Sequence, residues 1–214
     1  ILFDAPRGDV ADLAAREAEI VHTALEHTRA SRVFMCPTYY SDDRMLDVVF
    51  GARPSGYLED LGRRLDPRVS VYWTGEEICA REFSPGHLDR VADALRRKPT
   101  LWVNDGPRMS RFLHLRGFTG RPSLNAAHIA AHAINPALQP HLSLIPAATL
   151  VASYREGSAY GYMDAFRAAA RAVAGVELAG MLEVDLHALQ DRGIDQLGDD
   201  RERLRQRYAA MDHA

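Results

Sequence analysis

Six polar residues close short apolar runs in this chain, and their types define the chemistry open to it. Asp4 follows Ile1-Leu2-Phe3, Tyr40 ends the Cys36-Pro37-Thr38-Tyr39 segment, and Thr74 follows Val69-Ser70-Val71-Tyr72-Trp73. Asn104 and Asp105 follow Leu101-Trp102-Val103, and Asn135 follows Ala130-Ala131-His132-Ala133-Ile134. A carboxylate accepts paired hydrogen bonds from neighbouring hydroxyls, an amide both donates and accepts, and a tryptophan such as Trp102 offers an apolar face to a ring. Together these groups suit a neutral, polyhydroxylated substrate. No glycine-rich phosphate loop is present, nor a Ser-His-Asp or Cys-His set at a known spacing. His128 and His132 lie four apart, but His-Ile-Ala-Ala-His lacks the glutamate of a zinc protease and has no evident third ligand, so no metal is expected.

Alternating strands and helices must position these groups. After the first run, residues 10–30 repeat Val10, Leu13, Ala14, Ala18, Val21, Ala24 and Leu25 at helical steps. Residues 31–36 read as a strand, 41–54 as a loop with Asp42 and Asp43, and 55–65 as a helix ended by Asp66-Pro67. Residues 69–73 are the third strand. Ser84 and Pro85 read as N-cap and first position of a helix over 85–97, with Val91, Ala94 and Leu95 inward. Residues 99–103 form the fourth strand, 109–115 a weaker helical stretch, and 130–134 a fifth strand of poor propensity. Helices are expected over 142–155, 160–174, 178–190 and 201–211. Strand, helix, strand at this spacing gives parallel strands, whose carboxyl ends carry working groups. The composition shift at Arg155-Glu156-Gly157-Ser158 places a domain boundary there.

Five strands cannot close a barrel of eight-strand geometry. Either the sheet is open or three strands lie upstream, and the start at Ile1 inside an apolar run favours the second. With 214 residues, 47% hydrophobic, the chain can build a sizeable core. A net charge of -3 gives no footing for nucleic acid or a membrane surface. No apolar run reaches the roughly 20 residues of a membrane span. Cys36 and Cys79 make no disulfide framework, which points to a reducing compartment, the cytoplasm.

The order of tips resembles the O-GlcNAcase family of β-N-acetylglucosaminidases, the hyaluronidase-like bacterial hexosaminidases and their eukaryotic relatives. Phe3-Asp4 is similar to that family's Phe-Asp-Asp, Cys36-Pro37-Thr38-Tyr39-Tyr40 to Cys-Pro-Thr-Glu-Tyr, and Trp73-Thr74-Gly75 to Trp-Thr-Gly. Trp102 with Val103-Asn104-Asp105 and then Asn135-Pro136 follow in the family's order. The resemblance covers about residues 1–150. It implies an α/β fold, the (β/α)8 TIM barrel, of which this chain would carry strands four to eight over residues 1–155, followed by a helical domain over 156–214.

It also implies removal of terminal β-linked N-acetylglucosamine by substrate-assisted retaining catalysis through an oxazoline, one of the exceptions to the two-carboxylate scheme. No cofactor is implied. The implied partner is an N-acetylglucosamine-containing glycan or an O-GlcNAc-modified protein, not nucleic acid or membrane, and a homodimer is compatible with it. By resemblance Asp4 orients the acetamido group and Tyr40 stands near it and the scissile oxygen. Thr74 and Ile78 line that region, Trp102 walls the acetamido pocket, and Asp105 and Asn135 hold sugar hydroxyls. Three departures stand out. Ala5 occupies the general-acid position, and a methyl group transfers no proton. Trp102 to Asp105 is about four residues shorter than the family segment, so the asparagine after the tryptophan is either missing or is Asn104. The first three strands are absent. A non-catalytic sugar-binding protein therefore stays open as the alternative, as does an unrelated open α/β domain.

Overall fold

The computed structural model describes residues 1–3, 9–103, 113–119 and 123–213. The chain forms two compact units, Ile1–Asn104 with Gly120–Asn135, and Asp105–Thr119 with Pro136–Ala214.

In the first unit four parallel strands lie side by side in sequence order: β1 Val33–Met35, β2 Val69–Trp73, β3 Thr100–Val103 and β4 Ala131–Ile134. Leu2 adds a parallel bridge to Cys36, through Phe3 N–H to Cys36 O (3.0 Å) and Cys36 N–H to Ile1 O (2.9 Å). All five expected strand positions are therefore paired, in the expected direction. Register then sorts side chains by face. Tyr72 pairs with Thr100, and Trp102 with Ala133. With a period of two, Tyr72, Thr74, Trp102, Ala133 and Asn135 fall on one face. Val69, Val71, Trp73 and Leu101, all nearly inaccessible, occupy the other.

The helices follow the apolar spacing, with local corrections. Helix α1 spans Leu13–His27 and buries Leu13, Ala14, Glu17, Ala18 and Val21. It starts later than residue 10 because Asp12 takes a left-handed conformation (φ 55°), its carbonyl accepting from Ala15 and Arg16. Residues 45–50, expected as loop, form helix α2 Met45–Phe50. The Asp43 carboxylate accepts from Met45 N–H at 2.9 Å, and Leu46 and Phe50, four apart, are buried. Helix α3 is Tyr57–Arg64, and α4 is Pro85–Leu95, capped by Ser84 Oγ accepting from His87 N–H at 3.3 Å.

Helices α3 and α4 touch backbone to backbone at Gly62. A Cβ placed there would lie 2.5 Å from the Ala94 carbonyl oxygen and 2.5 Å from the Leu95 carbonyl carbon. Gly62→Ala is therefore expected to destabilise the chain by about 1–3 kcal/mol through overpacking, read as a lower denaturant midpoint.

The second unit is helical. Helix α5 is Leu144–Glu156, and α6 is Tyr162–Leu186, broken at Gly175 (φ 77°), where the sequence separates two helices. A π-helical turn, His187–Arg192, and α7 Asp200–Ala209 follow. Leu115, Ile145, Phe166, Ala170, Leu182 and Leu189 lie in its core. Most of the expected helix at 109–115 lies outside the described residues. Leu113–Leu115 is not helical; its backbone is held instead by Leu189 O and by Gln190 Oε1, the latter at 2.9 Å from Leu115 N.

Among the described residues no helix is long and apolar enough to cross a membrane.

Candidate active site

The carboxyl ends of β1 and β2 do not diverge after the strands stop. Thr74 N–H donates to Tyr40 O at 2.9 Å, and Asp42 N–H to Gly75 O at 3.2 Å. Ser41 Oγ adds a bond to the same Gly75 carbonyl at 2.9 Å and itself accepts from Asp43 N–H. Asp43 then reaches across, its second carboxylate oxygen accepting from Ile78 N–H at 3.2 Å. These bonds tie together the backbone segments that carry Tyr40, Thr74 and Ile78.

Tyr40 is half-buried, its ring 6.3 Å from that of Trp102. Trp102 is also half-buried and lies 5.6 Å from Tyr72, which stacks on Phe34 at 5.5 Å. The sheet face below the tips is thus a continuous aromatic row. Thr74 is 1% exposed, and its hydroxyl faces backbone carbonyls, Glu77 O at 3.2 Å and Tyr40 O at 3.4 Å. Its observed role is to hold the tip. Ile78 is half-buried, and Asn135 is half-buried just beyond β4. Asp4, Ala5, Asn104 and Asp105 lie outside the described residues. His128 and His132 have separate surroundings: His128 Nδ1 meets Asp89 at 2.5 Å, and His132 stands edge-on to Phe83.

A buried carboxylate anchors the loop behind Tyr40. Glu17, 1% exposed, accepts from Thr38 N–H (3.1 Å), Thr38 Oγ (2.5 Å) and Tyr57 Oη (2.5 Å). Burial pushes its carboxyl above the usual range, against the pull of those three donors. Tyr39 adds a bond from its hydroxyl to Gly51 O at 2.7 Å. On the opposite side, Asp42 pairs with Arg53 at 2.8 Å and also approaches His87.

A parallel sheet with helix α4 laid on one face through His87 and Trp73, and with phenol, indole and amide groups at the carboxyl ends of its strands, defines an α/β protein whose strand ends carry the groups that could form a site. The chain belongs to the β-N-acetylglucosaminidase family, whose model matches residues 7–188. Its fold is similar to that of a mutant of the Thermobaculum terrenum O-GlcNAc hydrolase, with a TM-score of 0.72 and 27% identity, over 88% of this chain and 42% of that one. It is 30% identical over 69 residues to the protein O-GlcNAcases of Rattus norvegicus and Mus musculus. That match covers 32% of this chain and only 7% of those relatives.

Proposed function

We propose that this chain is the part of a (β/α)8-barrel glycoside hydrolase that carries strands four to eight, acting on terminal β-linked N-acetylglucosamine of a glycan or of an O-GlcNAc-modified protein. In that reading residues 1–155 are barrel and 156–214 a helical extension, and the compartment is the cytoplasm. What supports the reading most is the sheet register, which gathers Trp102, Thr74 and Asn135 on one face beside Tyr40, within the residues that match the family.

The reaction follows from groups of the proposed kind. The acetamido oxygen of the sugar attacks its own anomeric carbon as the bond to the leaving oxygen breaks, giving an oxazoline. Asp4 holds the acetamido N–H and favours its developing charge. Trp102 and Tyr40 wall the acetamido group, and Asp105 and Asn135 hold ring hydroxyls, with Asn104 and Ile78 at the margins. Water then attacks the anomeric carbon from the face the leaving oxygen vacated and breaks its bond to the oxazoline oxygen, so two inversions retain the configuration. At position 5 Ala cannot protonate the leaving oxygen, and turnover is expected only where the leaving group needs little help.

The test compares an aryl β-N-acetylglucosaminide carrying an acidic phenol with the matching aryl β-glucoside. Slow release from the first and none from the second supports the substrate-assisted route. Equal release from both, or no binding of N-acetylglucosamine, overturns it. The second reading, a non-catalytic N-acetylglucosamine-binding protein, rests on Ala5 and predicts binding of the sugar with no release from either substrate.

A further inference from the structure

His87 belongs to none of the groups assigned above, yet it touches both loops that form the site. It lies on α4, 1% exposed, against the sheet face opposite Trp102. Trp73 Nε1–H donates to His87 Nε2 at 3.0 Å, with the ring centroids 5.9 Å apart. An indole nitrogen only donates, so Nε2 must hold a lone pair and the imidazole proton must sit on Nδ1. Nδ1 faces Asp42 Oδ2 at 3.6 Å and Glu76 Oε1 at 3.7 Å. At those separations the attraction is electrostatic rather than a direct hydrogen bond.

The three partners come from the two segments that must stay together. Trp73 ends β2, Glu76 follows it by three residues, and Asp42 lies in the loop after β1. The bonds Thr74 N–H to Tyr40 O and Asp42 N–H to Gly75 O run between these contacts. Gly75 holds φ 105°, with Phe83 and Ala80 packed where a side chain would be, so only glycine fits this bend.

We propose that His87 is a positioning residue: as the neutral Nδ1–H tautomer it latches Trp73 to Asp42 and Glu76, and so fixes Tyr40 and Thr74 in register at the strand tips. For the ligand those tips bind, this rests on the sugar-site reading above. The charge surroundings give the latch a direction in pH. Burial is the largest influence and holds the imidazole below its ordinary range. Asp42 and Glu76 pull the other way, Arg90 on the same helix adds to burial, and Arg53 draws on Asp42 while Ser84 draws on Glu76. The neutral latch therefore persists at neutral pH and opens on acidification, when protonated Nε2 would meet the indole N–H donor to donor.

The test uses nuclear magnetic resonance of the whole chain, which has two tryptophans; Trp102→Phe assigns the Trp73 indole signal. In His87→Leu, amide exchange at Thr74 and Asp42 is expected to quicken by about tenfold, as for loss of one hydrogen-bonded support, while Met35 and Val71 inside the strands stay protected. His87→Gln, whose amide can accept from the indole and donate to the carboxylates, should stay within about threefold of the parent. The same pattern is expected for the dissociation constant of N-acetylglucosamine. In the parent, acidification should move the Trp73 indole and the Thr74 and Asp42 amide shifts in one titration that His87→Gln lacks.

Unchanged Thr74 and Asp42 amides in His87→Leu overturn the latch. Should that variant not fold, a parent titration in which the indole shifts without the two amides overturns it equally. Amides that respond while sugar affinity stays constant overturn the positioning role. Amides that respond in a chain that binds no N-acetylglucosamine in any form uphold the latch and sink the sugar-site reading instead.

Discussion

Ala5→Asp is expected to raise turnover of an N-acetylglucosaminide with a poor leaving group by about two to four powers of ten. In the proposed reading the oxazoline route supplies its own nucleophile, which leaves the protein proton transfer to the leaving oxygen, and then from water, as its main chemical task. Position 5, next to the acetamido-orienting Asp4, is where the family resemblance puts the residue for that task. A methyl group there removes roughly 3–5 kcal/mol of barrier lowering from a substrate that leaves as a basic alkoxide. It removes far less from one that leaves as a stabilised phenolate. The gain on Ala5→Asp should therefore be large on the poor leaving group and small on the good one, and the restored activity should acquire a limb in its pH profile from the new acid. An equal gain on both substrates would mean that the carboxylate acts by binding or by charge, not as an acid. No gain on either, with sugar binding intact, would favour the non-catalytic reading.

The strand tips were legible because each apolar run stops at a polar residue, and parallel pairing turns that punctuation into one edge. Even Ala131–Ile134, weak in β propensity, is a strand, since pairing of Thr100 with Ala131 through Val103 with Ile134 overrides local preference. Helix α2 was not legible: six residues are too few to show a period, and the only hint is Asp43 two positions before Met45. The start of α1 lies later than its apolar spacing suggests because the left-handed turn at Asp12 depends on a single residue's backbone. For the candidate site, motif order singled out Tyr40 and Trp102, whose rings lie side by side in the structure, but not what holds them. Asp43 to Ile78 and His87 to Trp73 join residues 35 and 14 positions apart. Such pairings arise from register and packing, and no local spacing encodes them. Asp4, Ala5, Asn104 and Asp105 rest on motif order alone. Glu17 did leave a signal: a carboxylate standing among Leu13, Ala14, Ala18 and Val21 on the inner stripe of α1 must find donors inside the fold.

Glu17 also carries the second large expected effect. Glu17→Ala should destabilise the chain by about 2–5 kcal/mol, because Thr38 N–H and Tyr57 O–H would be left buried and unpaired. Glu17→Gln keeps an acceptor and removes the charge, so its stability at neutral pH should lie within about 1 kcal/mol of the parent. The pH dependence separates the parent from this variant. Burial raises the folded-state pKa of Glu17 above its ordinary value of 4.5, so the folded chain holds that proton more tightly than the unfolded one. The resulting stabilisation is fully present below the ordinary carboxylate range and is lost as pH rises through the raised value. Relative to Glu17→Gln, the parent should therefore gain stability on acidification across that window and show a constant difference above it, measured by urea unfolding at a series of pH values. A difference that stays flat would show that the three donors balance burial, and one that grows toward alkaline pH that they outweigh it. The consequence reaches the site through Thr38, two residues before Tyr40: Glu17→Ala should weaken sugar binding in step with its loss of stability, while Glu17→Gln, which still anchors the loop, should leave binding near the parent value.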